Sequence, residues 1–189
     1  MESRTCDHCG VSINLLRAGA RFCSPKCRVY ASRKPALPAE MTSKDRWVRR
    51  NKRKMPLTVD GRNASSTDSA TWSSHAAAKA SPAGSGLGFV LGSGVGCIDL
   101  DHCFIDGTLV DWAQEIVDRA PSTYMEVSQS GEGLHIFGFL AEGPGRNIRR
   151  EGRNVEFYSV GRYIAVTGDR FAGSPLKLAD LTELVTSLS

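Results

Sequence analysis

The alternation of apolar and polar residues beyond residue 86 predicts a domain of strands with a few helices. Short apolar runs bounded by glycine or polar turns predict six strands. We expect them to pair in chain order as three hairpins: 88–91 with 95–101, 124–127 with 134–140, and 154–158 with 163–166. Helical spacing and capping residues predict helices over 68–80, 109–120 and 178–188. This order of elements predicts an α+β fold with a mostly antiparallel sheet.

Length and composition limit the class of protein. The chain has 189 residues, of which 41% are hydrophobic and 23% charged, as in a globular protein of one domain with a small appendage or of two small domains. No apolar run approaches the roughly 20 residues that span a bilayer, and the N-terminus lacks the apolar core of a secretory signal. We therefore expect neither a membrane partner nor a secreted disulfide scaffold.

The charge is distributed unevenly along the chain. Residues 1–54 contain 14 Lys and Arg against 4 Asp and Glu, whereas residues 55–189 contain 10 basic and 16 acidic residues. This split predicts a basic arm that meets a polyanion, beside a body that concentrates acidic groups for another reason. We expect a zinc-binding module at 1–34, a basic connector at 35–56 and a main domain at 57–189.

Four of the six cysteines have the spacing of a zinc site. The pattern C-x2-C, thirteen residues, C-x3-C places two thiolates on each of two tight turns, and a metal would close the loop between them. Two disulfides are the alternative, although nothing in the sequence indicates an oxidising compartment. The predicted Zn²⁺ ligands are Cys6, Cys9, Cys23 and Cys27. Cys97 and Cys103 lack metal-like spacing and are interpreted as core thiols.

The basic residues of the connector are candidates for nucleic-acid binding. Lys and Arg side chains neutralise phosphates, and Tyr30 and Trp47 are available to stack on bases. For any single residue, the alternative is a solvated linker that contacts nothing. The candidates are Arg46, Arg49, Arg50, Lys52 and Arg53.

A D-x-D pair is the most informative stretch of the predicted sheet. Residues two apart in a strand point to the same face, so Asp99 and Asp101 project together while Ile98 and Leu100 face the core. Two neighbouring carboxylates repel unless a cation lies between them, and oxygen ligands favour Mg²⁺ or Mn²⁺. A D-x-D pair alone is a weak signal, because it is also common at polar strand ends.

Two further motifs strengthen the interpretation of the D-x-D pair as part of a metal site. The run S-x-S-G-x-G-x-H places hydroxyls and exposed backbone N–H groups where they can hold phosphate oxygens, although a glycine hairpin with a core histidine is the alternative. Its candidate residues are Ser128, Ser130, Gly131 and His135. Glu156 follows on a strand between apolar neighbours, where a carboxylate needs a partner or a metal. Arg162 comes after Gly161, six residues further on.

These motifs in this order resemble the primase-polymerase (prim-pol) branch of the archaeo-eukaryotic primase superfamily. The set comprises D-x-D, S-x-S-G-x-G-x-H, an acid in an apolar strand, and G-R-Y-x-x-x-T-G. The segment from Lys54 to Trp72 and the run 86–91 are similar to phage and plasmid members as well. The resemblance covers about residues 46–170.

The resemblance implies an RRM-like antiparallel catalytic sheet with an accessory α/β unit, and metal-dependent nucleotidyl transfer. By position, Asp99, Asp101 and Glu156 would bind the catalytic Mg²⁺ or Mn²⁺. His135 and Ser130 would contact the incoming triphosphate, Arg162 would be a further phosphate ligand, and Ser128 and Lys54 are weaker candidates. Many members have Asp as the third acid, and Glu156 is longer by one methylene.

The activity that the resemblance implies is primer synthesis from NTPs or dNTPs on a single-stranded DNA template by a two-metal mechanism, in a cytoplasmic replication role. Many relatives carry a helicase domain further along the chain, so a separate replicative helicase is the expected partner. One alternative is a non-catalytic, zinc-dependent DNA-binding replication initiator with a primase-like domain. Another is a metal-dependent nuclease, against which the S-x-S-G-x-G-x-H run and Arg162 favour a triphosphate substrate.

Overall fold

The computed structural model describes residues 4–6, 11–28, 36–150 and 152–188. The chain divides into two compact units, Met1–Ala36 and Leu37–Ser189. In the first unit, Thr5 bridges Ser12, and residues 25–28 form a helical turn. The Arg4 guanidinium donates to the carbonyl oxygens of Ile13 and Leu16, which holds this small loop together. Cys6 and Ile13 are its buried apolar side chains among the described residues.

The second unit contains four α-helices and eleven strands among its described residues. The helices are α1 (Ala39–Thr42), α2 (His75–Ala80), α3 (Asp111–Arg119) and α4 (Thr182–Leu188). The first six strands are β1 (Trp47–Arg50), β2 (Pro56–Leu57), β3 (Gly86–Val90), β4 (Val95–Asp101), β5 (Phe104–Ile105) and β6 (Thr108–Leu109). The remaining strands are β7 (Met125–Val127), β8 (Leu134–Phe139), β9 (Arg146–Arg150), β10 (Arg153–Tyr158) and β11 (Tyr163–Val166). No described helix is long and apolar enough to cross a membrane.

A five-stranded antiparallel sheet in the order β7-β8-β4-β10-β9 forms the centre of this unit. One face is apolar and packs against α3 and α4 in a cluster that includes Ile98, Ile136, Phe157, Ile116 and Leu184. Because side chains alternate between the faces of a strand, the residues between these apolar positions point to the opposite face. This opposite face carries the predicted site.

A second sheet, of four strands in the order β11-β3-β1-β2, is also antiparallel. It shares a core with the first sheet, in which Trp47, Phe89 and Ile164 pack with Cys97 and Phe137. One end of the opposite face of the five-stranded sheet is therefore covered by apolar side chains of the four-stranded sheet. The α+β class with antiparallel sheets, expected from the sequence, is confirmed.

The strand pairing differs from the expected three hairpins. Only the central pair, β7 with β8, is formed as predicted. β3 and β4 are joined by a single bridge, Gly92 to Val95, and then enter different sheets, while β10 and β11 also separate. The hairpin expectation was wrong because sequence neighbours separated by a short glycine turn were assumed to pair, whereas burial of the apolar faces requires two sheets.

Part of the predicted basic connector at 35–56 is a strand. The structure places the boundary at Ala36/Leu37, and β1 lies between β2 and β3 with Trp47 and Val48 fully buried. The apolar pair Trp47-Val48 between two arginines thus belongs to a buried strand and not to a linker. The helix expected over 68–80 is divided into a 3₁₀ turn at Ser69–Thr71, capped by Asp68, and α2, capped by Ser74.

Candidate active site

A row of polar side chains crosses the five-stranded sheet. Residues directly opposite each other on antiparallel strands share a face, and the register pairs them in sequence across all five strands. The row is Glu126 (β7), His135 (β8), Asp99 (β4), Glu156 (β10) and Asn147 (β9). The sheet thus brings together three of the four predicted catalytic residues.

A second, shorter row lies one pleat further along the same face. Asp101 on β4 is opposite Asn154 on β10, which in turn is opposite Arg149 on β9. The Asn154 Nδ2 donates to Asp101 Oδ2 over 2.9 Å, and this bond orients the carboxylate. Asp101, the fourth predicted catalytic residue, therefore adjoins Asp99 as the strand periodicity predicts.

Four residues of these rows, Asp99, Asp101, His135 and Glu156, line a cleft of about 450 Å³. Its walls include six of the predicted site residues, namely Lys54, Asp99, Asp101, His135, Glu156 and Arg162. Residues from β11 and the Ser66 side chain complete it. The cleft therefore combines three carboxylates with two cationic side chains and an imidazole, a combination suited to a ligand that carries both metal ions and phosphates.

Asp99 is the least compensated acid of the cleft. Its Oδ1 is buried, and no described group forms a hydrogen bond with it. His135 Nε2 lies 3.7 Å from this oxygen, which is too long for a hydrogen bond. Burial raises the pKa of Asp99, and the charges of Asp101 and Glu156 raise it further, while His135 and Lys54 act in the opposite direction. A buried carboxylate oxygen without a hydrogen-bond donor is suited to bind a metal ion.

Glu156 has a different environment from Asp99. The amide Nδ2 of Asn147 donates to its Oε1, and the Tyr158 hydroxyl donates to its Oε2 over 2.9 Å. The Arg162 guanidinium lies 3.5 Å from the same Oε2 and also over the Tyr158 ring, 4.6 Å from its centroid. Glu156 is thus held in one orientation, and Arg162 is held at the cleft wall.

The S-x-S-G-x-G-x-H segment forms a turn between β7 and β8. The Ser128 Oγ accepts from the Gly133 N–H and lies 3.1 Å from the Ser130 Oγ, so the two hydroxyls stabilise the turn. Gly131 has a φ of +80°, which favours glycine at this position. Ser128, Ser130 and Gly131 are not among the residues that line the cleft, whereas His135 is.

The predicted nucleic-acid-binding residues fall into two groups. The guanidinium groups of Arg46 and Arg49 donate to backbone carbonyl oxygens of the second unit, and Arg50 is 6% exposed. These three side chains therefore stabilise the fold of the second unit and do not form a free basic surface. Lys52 and Arg53 lie exposed in the turn between β1 and β2.

A second basic surface was not predicted from the sequence. The edge strand β9 and the start of β10 carry four arginines, and all four are exposed. They are Arg146, Arg149, Arg150 and Arg153. Arg149 shares the face of Asp101, at two strand spacings, roughly 10 Å, from it. An exposed guanidinium group at this distance from the acids can bind phosphate oxygens, whereas Arg146, Arg150 and Arg153 alternate to the opposite face of the sheet.

The N-terminal unit brings three of the four predicted zinc ligands together. The Sγ atoms of Cys6, Cys23 and Cys27 all lie within 4.8 Å of one another. Tetrahedral zinc has Zn–S distances of about 2.3 Å, so its ligand sulfurs are a little under 4 Å apart, and this cluster can hold such a metal. The fourth predicted ligand, Cys9, lies outside the described residues, as does Tyr30.

Comparison with known proteins agrees with the cleft's chemistry. The chain is 34% identical over 150 residues to the DNA primase-polymerase of Nitratiruptor phage NrS-1. The match includes 73% of this chain and 21% of the phage protein, so the chain spans about a fifth of that relative's length. No family model matches the chain. The identity shows distant homology to a primase-polymerase, which supports the resemblance found in the motifs.

Sequence reasoning missed several residues of the site. Glu126, Asn147, Asn154 and Tyr158 all contact a predicted residue, and Arg149 lies in their rows. Glu126 had a detectable signal, because Met125-Glu126-Val127 repeats the pattern of an acid between apolar neighbours that drew attention to Glu156. Asn147 had no such signal, since β9 was not predicted as a strand.

We expect the replacement of Asp99 by asparagine to stabilise the metal-free protein. The pKa of Asp99 is raised in the folded state, so its contribution to the free energy of unfolding is fully present below the unfolded value, about 3.9, and is lost as pH rises through the folded pKa. Asp99→Asn removes this loss. Thermal unfolding in EDTA from pH 4 to 8 should therefore show a difference in Tm, variant minus wild type, that grows with pH.

The same pH series in Mn²⁺ tests whether bound metal stabilises wild type more than Asp99→Asn. A cation at a hundredfold excess over its Kd stabilises wild type by about 2.7 kcal/mol, or about 5–10 °C in Tm, and Asp99→Asn should lose most of this gain. Asp106→Asn, at an exposed turn, serves as the control. A constant Tm difference across pH, or an equal response of both proteins to Mn²⁺, would contradict the assignment of Asp99.

Proposed function

We propose that this chain is the catalytic part of a DNA primase-polymerase that transfers nucleotides from NTPs or dNTPs on a single-stranded DNA template. The observation that carries the proposal is the cleft, in which Asp99, Asp101 and Glu156 share one sheet face with His135, and whose walls also include the cations of Lys54 and Arg162. The homology to the phage primase-polymerase supports it. The five-stranded sheet with two helices on one face would be the RRM-like catalytic unit, with the four-stranded sheet as the accessory unit.

The carboxylates of the cleft fit a site for Mg²⁺ or Mn²⁺. Asp99 offers a buried oxygen without a hydrogen-bond donor among the described residues, and hard cations prefer such oxygens. Asp99, Asp101 and Glu156 would hold the ions. When bound, divalent cations would activate the attacking hydroxyl of the primer or first nucleotide and neutralise charge on the phosphates.

The side chains around the acids have separate tasks. Arg162 and Lys54 would neutralise the charge of the triphosphate from the walls of the cleft, and His135 would donate to a phosphate oxygen from its floor. Ser130 and the N–H groups near Gly131 would contact the phosphates from the turn, with Ser128 supporting that turn. The hydrogen bonds from Asn154 and Asn147 fix Asp101 and Glu156 before the substrate binds.

The template would approach over the exposed basic residues. Lys52 and Arg53 are available next to β1, and Arg149 on β9 lies on the same sheet face as the acids. The N-terminal unit, with Zn²⁺ held by Cys6, Cys9, Cys23 and Cys27, would add a second contact with the nucleic acid. Phosphate contacts of this kind are independent of sequence and weaken with salt.

The test is a primer-free incorporation assay. The purified chain is incubated with Mn²⁺ or Mg²⁺, single-stranded DNA and labelled NTPs or dNTPs, in parallel with the Asp99→Ala/Asp101→Ala double variant. We expect template-dependent products that vanish with the double variant, and the preferred sugar follows from which label is incorporated.

A second arm supplies an annealed primer, which separates a polymerase that does not initiate from a protein that only binds. No product in either arm, with DNA still bound, would contradict catalysis and favour the zinc-dependent initiator. Cleavage of the template that depends on the same acids would favour a nuclease.

A further inference from the structure

Glu126 is a fully buried carboxylate at the end of the cross-strand row. It does not line the cleft, and the roles proposed above do not use it. A carboxylate with no exposure to water is costly unless hydrogen bonds compensate it. The hydrogen-bond partners of Glu126 therefore explain how it is tolerated beside His135.

Three donors and one imidazole nitrogen surround the Glu126 carboxylate. Oε1 accepts from the Thr167 N–H over 3.0 Å and lies 3.2 Å from His135 Nδ1. Oε2 accepts from the Gly168 N–H over 2.9 Å and from the Tyr124 hydroxyl over 2.8 Å. Burial, followed by the charge of Glu126, raises the pKa of Tyr124, which keeps this phenol a donor. Both backbone donors belong to the G-R-Y-x-x-x-T-G motif, so the motif anchors the acid.

This arrangement requires a carboxylate. Each oxygen accepts from one backbone N–H, and a backbone N–H cannot accept in return. The amide NH₂ of a glutamine would therefore oppose an N–H group in either orientation. Because a carboxylate oxygen can only accept, a hydrogen bond between Glu126 Oε1 and His135 requires a proton on Nδ1, and Nε2 is directed at the cleft, 3.7 Å from Asp99.

We propose that Glu126 is a positioning residue that fixes His135 with Nδ1 protonated on the buried side and Nε2 directed at the cleft, where a second proton, on Nε2, would let the ring donate to a substrate phosphate. The imidazole is thus held from behind by an anchored carboxylate, in the way that outer partners orient a functional histidine. The effect on nucleotide transfer rests on the function proposed above, whereas the state of the ring does not.

Nitrogen NMR of the ¹⁵N-histidine-labelled full chain tests the ring directly. The chain has four histidines, so the His135 signals can be assigned by comparison with a His135→Asn sample. In wild type at neutral pH, we expect a protonated Nδ1. In Glu126→Gln, we expect the Nδ1 signal to move towards the unprotonated value and kcat/KM for the nucleotide to fall by about 10–100-fold, with affinity for single-stranded DNA changed less than about threefold.

Thr123→Val is the matched control, because Thr123 is buried and its hydroxyl bonds the Phe137 carbonyl and the Ala179 N–H without contacting Glu126 or His135. It should destabilise the sheet but retain the wild-type ring signal and kcat/KM. An unprotonated Nδ1 in wild type would overturn the proposal even if Glu126→Gln does not fold, as would equal losses of kcat/KM in the two variants. A protonated Nδ1 in a protein without incorporation would overturn only the proposed function.

Discussion

Replacing Asp101 by asparagine is expected to abolish nucleotide incorporation, with a loss of at least about 10³-fold in kcat, or about 4 kcal/mol of transition-state stabilisation. The substitution keeps the size of the side chain but removes the negative charge that a divalent cation requires. Asp101 is partly exposed, and its contact with Asn154 is a single bond between side chains. We therefore expect the fold to persist, with Tm within a few degrees of wild type.

Primer extension with saturating Mn²⁺ measures this effect, and Asp106→Asn provides the comparison. Asp106 is an exposed aspartate in the turn between β5 and β6 with a φ of +51°, a conformation that asparagine tolerates well. It should retain wild-type rates. Incorporation by Asp101→Asn within tenfold of wild type would show that the metal ions are held elsewhere.

Removing zinc is expected to unfold the N-terminal unit and leave the second unit intact. Among the described residues of the small unit, few apolar side chains are buried, so metal binding would supply most of its stability, and structural zinc sites of this size contribute about 10–16 kcal/mol. We expect about one zinc per chain in wild type. A strong chelator, or Cys27→Ser, should make residues before Leu37 sensitive to protease while the body resists digestion.

Zinc content by elemental analysis and mapping of the protease fragments check this prediction. Cys103→Ala removes a buried thiol of the second unit, outside the N-terminal cluster, and should retain the metal. Wild-type zinc content in Cys27→Ser, or a body that unfolds together with the N-terminal unit, would count against a separate zinc module.

The sequence was most informative where side chains follow strand periodicity. Asp99 and Asp101 were expected on one face of a strand, and the structure places them there because β4 is regular and its apolar residues face α3 and α4. The cysteine spacing likewise predicted that thiols from distant turns would meet. In both cases local geometry is sufficient, and no knowledge of the strand order is needed.

The partners of these residues depend on strand order, which the sequence does not encode locally. Asn147 reaches Glu156 only because β9 pairs with β10, and Glu126 reaches Thr167 only because the chain returns from the other sheet. The arginines in β1 and directly before it illustrate the same limit. Arg46 and Arg49 have the composition of a basic linker, but their bonds to the carbonyls of Val90 and Ala83 exist only once β3 and its neighbours are in place.

The basic edge strand β9 also affects the solubility of the protein. An edge strand presents unpaired N–H and C=O groups to which another chain can add, and charged side chains are a common protection against such pairing. The arginines of β9 repel the same strand of a second copy, whatever else they bind. Alanine substitutions in β9 would remove the proposed phosphate contacts and would also leave the edge strand open to pairing with another chain. Charge reversal to glutamate would keep two copies apart while repelling DNA, and so would separate aggregation from loss of binding.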